Sequence, residues 1–187
     1  PTRRSSDLTS IEMLRDPQGT SYALGICAPE RFSHDSLYPM IVYLHGGIGT
    51  TRNTKGEHAY RMLDELTDSC TLFLASPSAC RRTPWWSFDG IHRILAAVRF
   101  MTLRYPIDPD RVILAGVSDG ATGCYAAANA VPGPFAGFIA VSGFGGMLPR
   151  LGIALIPSNI MQRPIYNVNA GRDRSEERRV GKECATG

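Results

Sequence analysis

Apolar residues recur along this chain in two patterns, and the two alternate. Short, nearly continuous apolar runs, bounded by Gly, Pro or turn residues, occupy 20–32 (TSYALGICAPERF), 38–50 (YPMIVYLHGGIGT), 71–77 (TLFLASP), 110–116 (DRVILAG), 135–143 (FAGFIAVSG) and 164–171 (PIYNVNAG). Each reads as a strand, and several are apolar at successive positions, as strands buried on both faces are. Between them lie segments with helical spacing. Residues 57–66 repeat through Tyr60, Leu63 and Leu66, and residues 89–105 set Ile91, Ile94, Leu95, Val98 and Met101 on one stripe with Asp89 as the expected N-cap. Residues 119–131 form a helix of small side chains, suited to close packing on a sheet. Strands alternating with helices predict a single α/β domain over 9–173, a mainly parallel sheet with helices on both faces.

Composition narrows the partners more than the fold. The 187 residues suit one domain, and 43% hydrophobic with 20% charged residues is ordinary for a globular chain. No apolar run approaches the roughly 18 residues of a membrane span. The cysteines are Cys27, Cys70, Cys80, Cys124 and Cys184, with no C-x-x-C pair. Cys70 and Cys80 flank a strand whose extended length keeps them too far apart for a disulfide. Buried or free thiols are expected, which favours a cytoplasmic setting over a secreted one.

The two ends differ in character from the rest. PTRRSSDL at the start and RSEERRVG near the end have permitted codings that are reverse complements of each other over their shared length. Both resemble a sequencing-library adapter, so residues 1–8 and 174–187 are expected to be translated adapter rather than native chain. The first residue is Pro, which is expected of a piece of a longer protein. Formal net charge is +3, and each end carries one of those charges, so the interior carries +1. No basic face remains to suggest a nucleic-acid partner.

The chemistry concentrates at 112–128. A buried strand runs into Gly116-Val117-Ser118-Asp119-Gly120, and a helix follows at once. This is G-x-S-x-G in its strand–turn–helix setting. The glycines permit a turn too tight for side chains, and Ser118 is carried to the strand's C-terminal edge as a nucleophile. The helix N-terminus beneath it offers N–H groups to a developing anion. A second strand ends in His45-Gly46-Gly47, where the lack of side chains lets backbone N–H groups approach a substrate oxygen. The expected oxyanion hole pairs the N–H of Gly47 (or of Ile48) with that of Asp119. His45 itself is expected to be a structural hydrogen bonder behind this loop.

On these motifs the chain resembles the α/β-hydrolases, over essentially all of 9–173. It is similar to the predicted-peptidase, feruloyl-esterase and polyhydroxyalkanoate-depolymerase-like branch, whose lead-in to the nucleophile is matched by Tyr105, Ile107, Asp108, Arg111 and Val112. The departure is Asp119, a carboxylate beside the nucleophile where many relatives carry Met or Gln. The resemblance implies a triad in the order nucleophile, acid, histidine. Asp173, after the last apolar run, matches the acid that orients the histidine. The histidines are His34, His45, His58 and His92; none follows Asp173 and none lies where the base belongs. The resemblance therefore implies a hydrolase domain truncated before its last strand and helix, inactive as it stands.

Weaker signals concern the substrate. Trp85 and Trp86 follow a strand at the expected active edge, where they either stack on an aromatic or sugar substrate or pack in the core or a lid. The stretch 144–163 lies where such hydrolases carry a lid, and its brevity suggests an open cleft for medium or large substrates. The expected function is hydrolysis of a small-molecule or polymeric carboxylic ester, with no cofactor and no metal. A serine peptidase of the same fold and a non-catalytic binding protein are the alternatives.

Overall fold

The computed structural model describes residues 9–57 and 63–169. Seven strands form one sheet: β1 (Thr9–Arg15), β2 (Ser21–Cys27), β3 (Tyr38–Leu44), β4 (Phe73–Pro77), β5 (Ile107–Val117), β6 (Gly137–Val141) and β7 (Ile165–Val168). Five helices accompany them: α1 (Asp64–Ser69), α2 (Phe88–Arg104), α3 (Asp119–Ala130), α4 (Met147–Arg150) and α5 (Pro157–Ile160). The strands lie in the order β1-β2-β4-β3-β5-β6-β7. From β4 to β7 every neighbour is parallel, while β1 with β2 and β2 with β4 are antiparallel. The expected mainly parallel sheet is present, with an antiparallel hairpin added at one edge.

The strand pleat divides the core. Met40, Val42, Leu44, Phe73, Ala75, Val112, Leu114, Phe138 and Ala140 join Ile94, Ala97 and Met101 of α2 and Ala121, Cys124 and Ala127 of α3 in one buried cluster. The alternate positions Cys27, Ile41 and Leu74 form a smaller cluster with Leu63, just before α1. Helices thus cover both faces, α2 and α3 on one and α1 on the other. The first-face alanines and glycines of α3 allow close approach: a Cβ at Gly123 would come within 2.6 Å of Trp85 Cβ.

Three details differ from what the pattern predicts. The strand β1 was not expected, because its apolar residues Ile11 and Met13 point to solvent at the sheet edge. The N-cap of α2 is Ser87 rather than Asp89: Ser87 Oγ accepts the Gly90 N–H at 3.1 Å. Asp89 lies instead in the first turn, where its charge complements the helix dipole. Of the expected helix at 57–66, residues 58–62 lie outside the described residues, and α1 begins only at Asp64.

Candidate active site

The turn between β5 and α3 places Ser118 at φ 55° and ψ −115°, exposed at the C-terminal edge of the sheet. A non-glycine residue there costs about 1–3 kcal/mol and is held only where its surroundings over-determine it. Here they do. The Ser118 N–H donates to Val141 O of β6 at 2.9 Å, and Ser118 O accepts the Thr122 N–H at 3.1 Å. A Cβ on Gly116 would collide with the backbone of Gly120, and one on Gly120 would collide with the carbonyl of Leu44. Both glycines of G-x-S-x-G are therefore steric necessities where strand, helix and β3 converge.

The loop after β3 abuts this elbow. A Cβ on Gly46 would lie 3.0 Å from Ser118 Cβ and 3.7 Å from its Oγ. Gly47 sits in the left-handed region at φ +65°, which glycine adopts without strain. Neither the Gly47 nor the Asp119 N–H donates to an acceptor among the described residues. The alternative donor behaves differently: the Ile48 N–H gives its hydrogen to Asp119 Oδ2 at 3.0 Å and is already occupied. That bond also accounts for Asp119, whose carboxylate is engaged with the β3 loop and ties it to the elbow.

His45 has the structural role expected of it. Its Nε2 accepts the Ala79 N–H at 3.1 Å, so the hydrogen resides on Nδ1, which donates to Gly46 O at 3.0 Å. Burial pushes its pKa down to about 4, aided by the Lys55 charge and opposed by the Gly46 bond and by Asp119. With both nitrogens engaged, His45 is not the base. His34 lies in an exposed loop and His92 on α2. His58 and Asp173 lie outside the described residues.

Trp85 takes the core-packing reading, and the substrate-stacking one is corrected. It is fully buried, its Nε1–H donates to His45 O at 2.9 Å, and its ring packs edge-on to His45 at 5.2 Å. It supports the His45-Gly46-Gly47 loop from beneath, and its burial leaves no face for a substrate. Trp86 is half-buried against the same core. Within the stretch 144–163, Gly145 lies against Tyr125 in the middle of α3, and residues 154–159 pack at its far end. Asn129 holds them there, accepting the Ile156 N–H at 2.6 Å and donating to Ala154 O at 3.0 Å. Asn129 is ten residues beyond the start of α3, about 15 Å along the helix.

Two residues that hold these loops carry no motif in the chain. Lys55 donates to Gly46 O at 2.7 Å and to Gly47 O at 3.1 Å. Arg93 is a fully buried cation under the loops, bonded to Asp16, Asn53 and Ser78 O. A cleft of about 770 Å³, lined by Tyr43, Gly46, Gly47, Lys55 and Val117 among others, opens on the Lys55 side of the glycine loop. Ser118 is not among its lining residues.

This sheet order and elbow define an α/β-hydrolase fold, and solved structures bear that out. A thermostable esterase is 18% identical and superposes with a TM-score of 0.66, over 91% of this chain and 57% of its own. An S-formylglutathione hydrolase from Staphylococcus aureus is 15% identical with a TM-score of 0.67, over 95% of this chain and 83% of its own. A prolyl oligopeptidase B from Galerina marginata, 17% identical, matches 72% of this chain and 20% of its own with a TM-score of 0.54. The chain thus spans little more than half the length of the esterase it resembles. No protein-family model and no curated protein matches the sequence.

Proposed function

We propose that this chain is the larger part of a serine hydrolase domain that cleaves carboxylic esters through an acyl-enzyme on Ser118. The observation that carries the reading is the strained, exposed Ser118 abutted by the glycine loop at Gly46, with the Gly47 and Asp119 N–H groups unengaged among the described residues. In the reaction a histidine oriented by Asp173 takes the Ser118 hydroxyl proton as Oγ bonds to the ester carbonyl carbon. The carbonyl electron pair moves to oxygen, where the two N–H groups receive it. Collapse breaks the bond to the alcohol, which leaves with the histidine's proton. Water then repeats the sequence on the acyl-enzyme and releases the acid.

That histidine is proposed to lie in the parent protein beyond residue 173, with residues 1–8 and 174–187 foreign to it. The 187-residue chain is then nearly inactive, since removing a triad member costs orders of magnitude in rate.

The test is paired p-nitrophenyl ester and p-nitroanilide substrates on the full-length parent, with fluorophosphonate labelling of the same protein. Ester turnover and labelling, both abolished by Ser118→Ala, are expected. Faster anilide cleavage would make the protein a peptidase. Absence of both turnover and labelling in the folded parent would make it a non-catalytic member of the fold.

A further inference from the structure

The glycine loop is gripped from one side by a cation. Lys55 Nζ lies 2.7 Å from Gly46 O and 3.1 Å from Gly47 O. A trans peptide unit points its C=O and N–H in opposite directions. The unit joining Gly46 to Gly47 turns its oxygen to Lys55, and to His45 Nδ1 at 3.0 Å, so the Gly47 N–H points the other way. The next unit turns the Gly47 oxygen to Lys55, and its Ile48 N–H meets Asp119 Oδ2 on the opposite side. The glycines are fitted to this arrangement. A Cβ on Gly46 would crowd Ser118, while one on Gly47 would occupy the place of the Lys55 ammonium.

From this we propose that Lys55 is a positioning residue for the oxyanion hole. Its ammonium fixes the orientation of the two peptide units and polarises them, so that the Gly47 N–H is aimed and strengthened before substrate arrives. Asp119 completes the grip from the elbow side by holding Ile48. The proposal rests on the serine-hydrolase reading above. It differs from a merely structural role because the charge acts on a dipole that meets negative charge only in the transition state. Ground-state binding of the ester is little affected.

The experiment is steady-state kinetics of the full-length parent on a p-nitrophenyl ester, comparing wild type, Lys55→Met, Lys55→Gln, Lys55→Arg and Ser118→Ala. Removing a whole oxyanion donor typically costs about 100–1,000-fold in kcat, so misaiming and depolarising one is expected to cost about tenfold. Lys55→Met should therefore lower kcat about tenfold with KM unchanged within about twofold and the melting temperature unmoved. Lys55→Arg should restore most of kcat. Lys55→Gln, a neutral donor, should fall between the two, and it decides the matter if Lys55→Met does not fold. Wild-type kcat in the neutral variants, a proportional rise in KM, or failure of Arg to rescue overturns the assignment. Turnover surviving Ser118→Ala would instead overturn the hydrolase reading, and the Lys55 assignment with it.

Discussion

Ser118 occupies a backbone conformation that few side chains tolerate, and the residues enforcing it act locally, through sterics. G-x-S-x-G states where a Cβ cannot be, and the collisions at Gly116 and Gly120 are what it states. The partners of the glycine loop were not legible. The bond from Ile48 to Asp119 spans 71 positions, and Lys55 resembles any exposed lysine until the loop folds back on it. His45 was readable as structural, but not its electrostatic cost. Its pKa, about 4 when folded against 6.5 when free, means that the unfolded chain binds a proton in a range where the folded chain does not. Stability from the neutral ring is complete above pH 6.5 and is lost as pH falls from 6.5 to 4. The loss amounts to about 3 kcal/mol. Urea unfolding of the chain across this range should show that decline, and His45→Gln should flatten it while lowering stability at pH 7. An equally steep decline in the variant would remove His45 as its source.

Among the elements, α2 and the edge hairpin are joined by a buried pair that no periodicity reveals. Arg93 points from α2 into the loops, 2.7 Å from Asp16 in the β1–β2 turn, and lies over the Tyr22 ring at 4.5 Å. The helical stripe runs through Ile91, Ile94, Leu95, Val98 and Met101, and an arginine beside it looks solvated until β1 and the loop at Asn53 close over it. β1 has a weak pattern for a related reason: an edge strand is held by pairing with β2 more than by burial, so it carries little apolar signal. Removing one partner of a buried pair leaves a charge without compensation, at about 3–5 kcal/mol. Arg93→Met should cost that much in urea unfolding, and Asp16→Asn in the same chain should recover part of it. Additive losses would show that the pair is not coupled. Burial tends to raise the Asp16 pKa, but the Arg93 guanidinium and the Thr20 and Gln18 N–H groups outweigh it and hold the value low. The stabilisation from this carboxylate therefore disappears only as pH falls below 3.8, beneath the His45 window.

At the scale of the whole molecule, alternation of element types gave the parallel α/β class, since a strand–helix–strand unit leaves little choice of architecture. The order of strands, and which face each helix covers, depend on contacts between distant segments and had to be seen. The register then exposes a consequence. Tyr43, Ala115, Ile139 and Tyr166 align across β3, β5, β6 and β7, and Val117, Val141 and Val168 align beside them. All lie on the face opposite α2 and α3. Tyr43 is buried at one end of this apolar surface, but Tyr166 at the other is 68% exposed and Val168 39%. Among the described residues β7 has no neighbour on its outer side, so an unpaired strand edge borders an apolar face. Both features favour association. The chain should bind a dye such as anilinonaphthalene sulfonate and sediment as larger species at high concentration. Tyr166→Lys with Val168→Lys should lower dye binding by about twofold or more and shift the distribution toward monomer, since lysines on an edge strand oppose pairing. Both side chains are exposed, so stability should change by less than about 1 kcal/mol. Unchanged dye binding and sedimentation in the double variant would show that this face is not where copies meet, and that residues outside the described chain cover it.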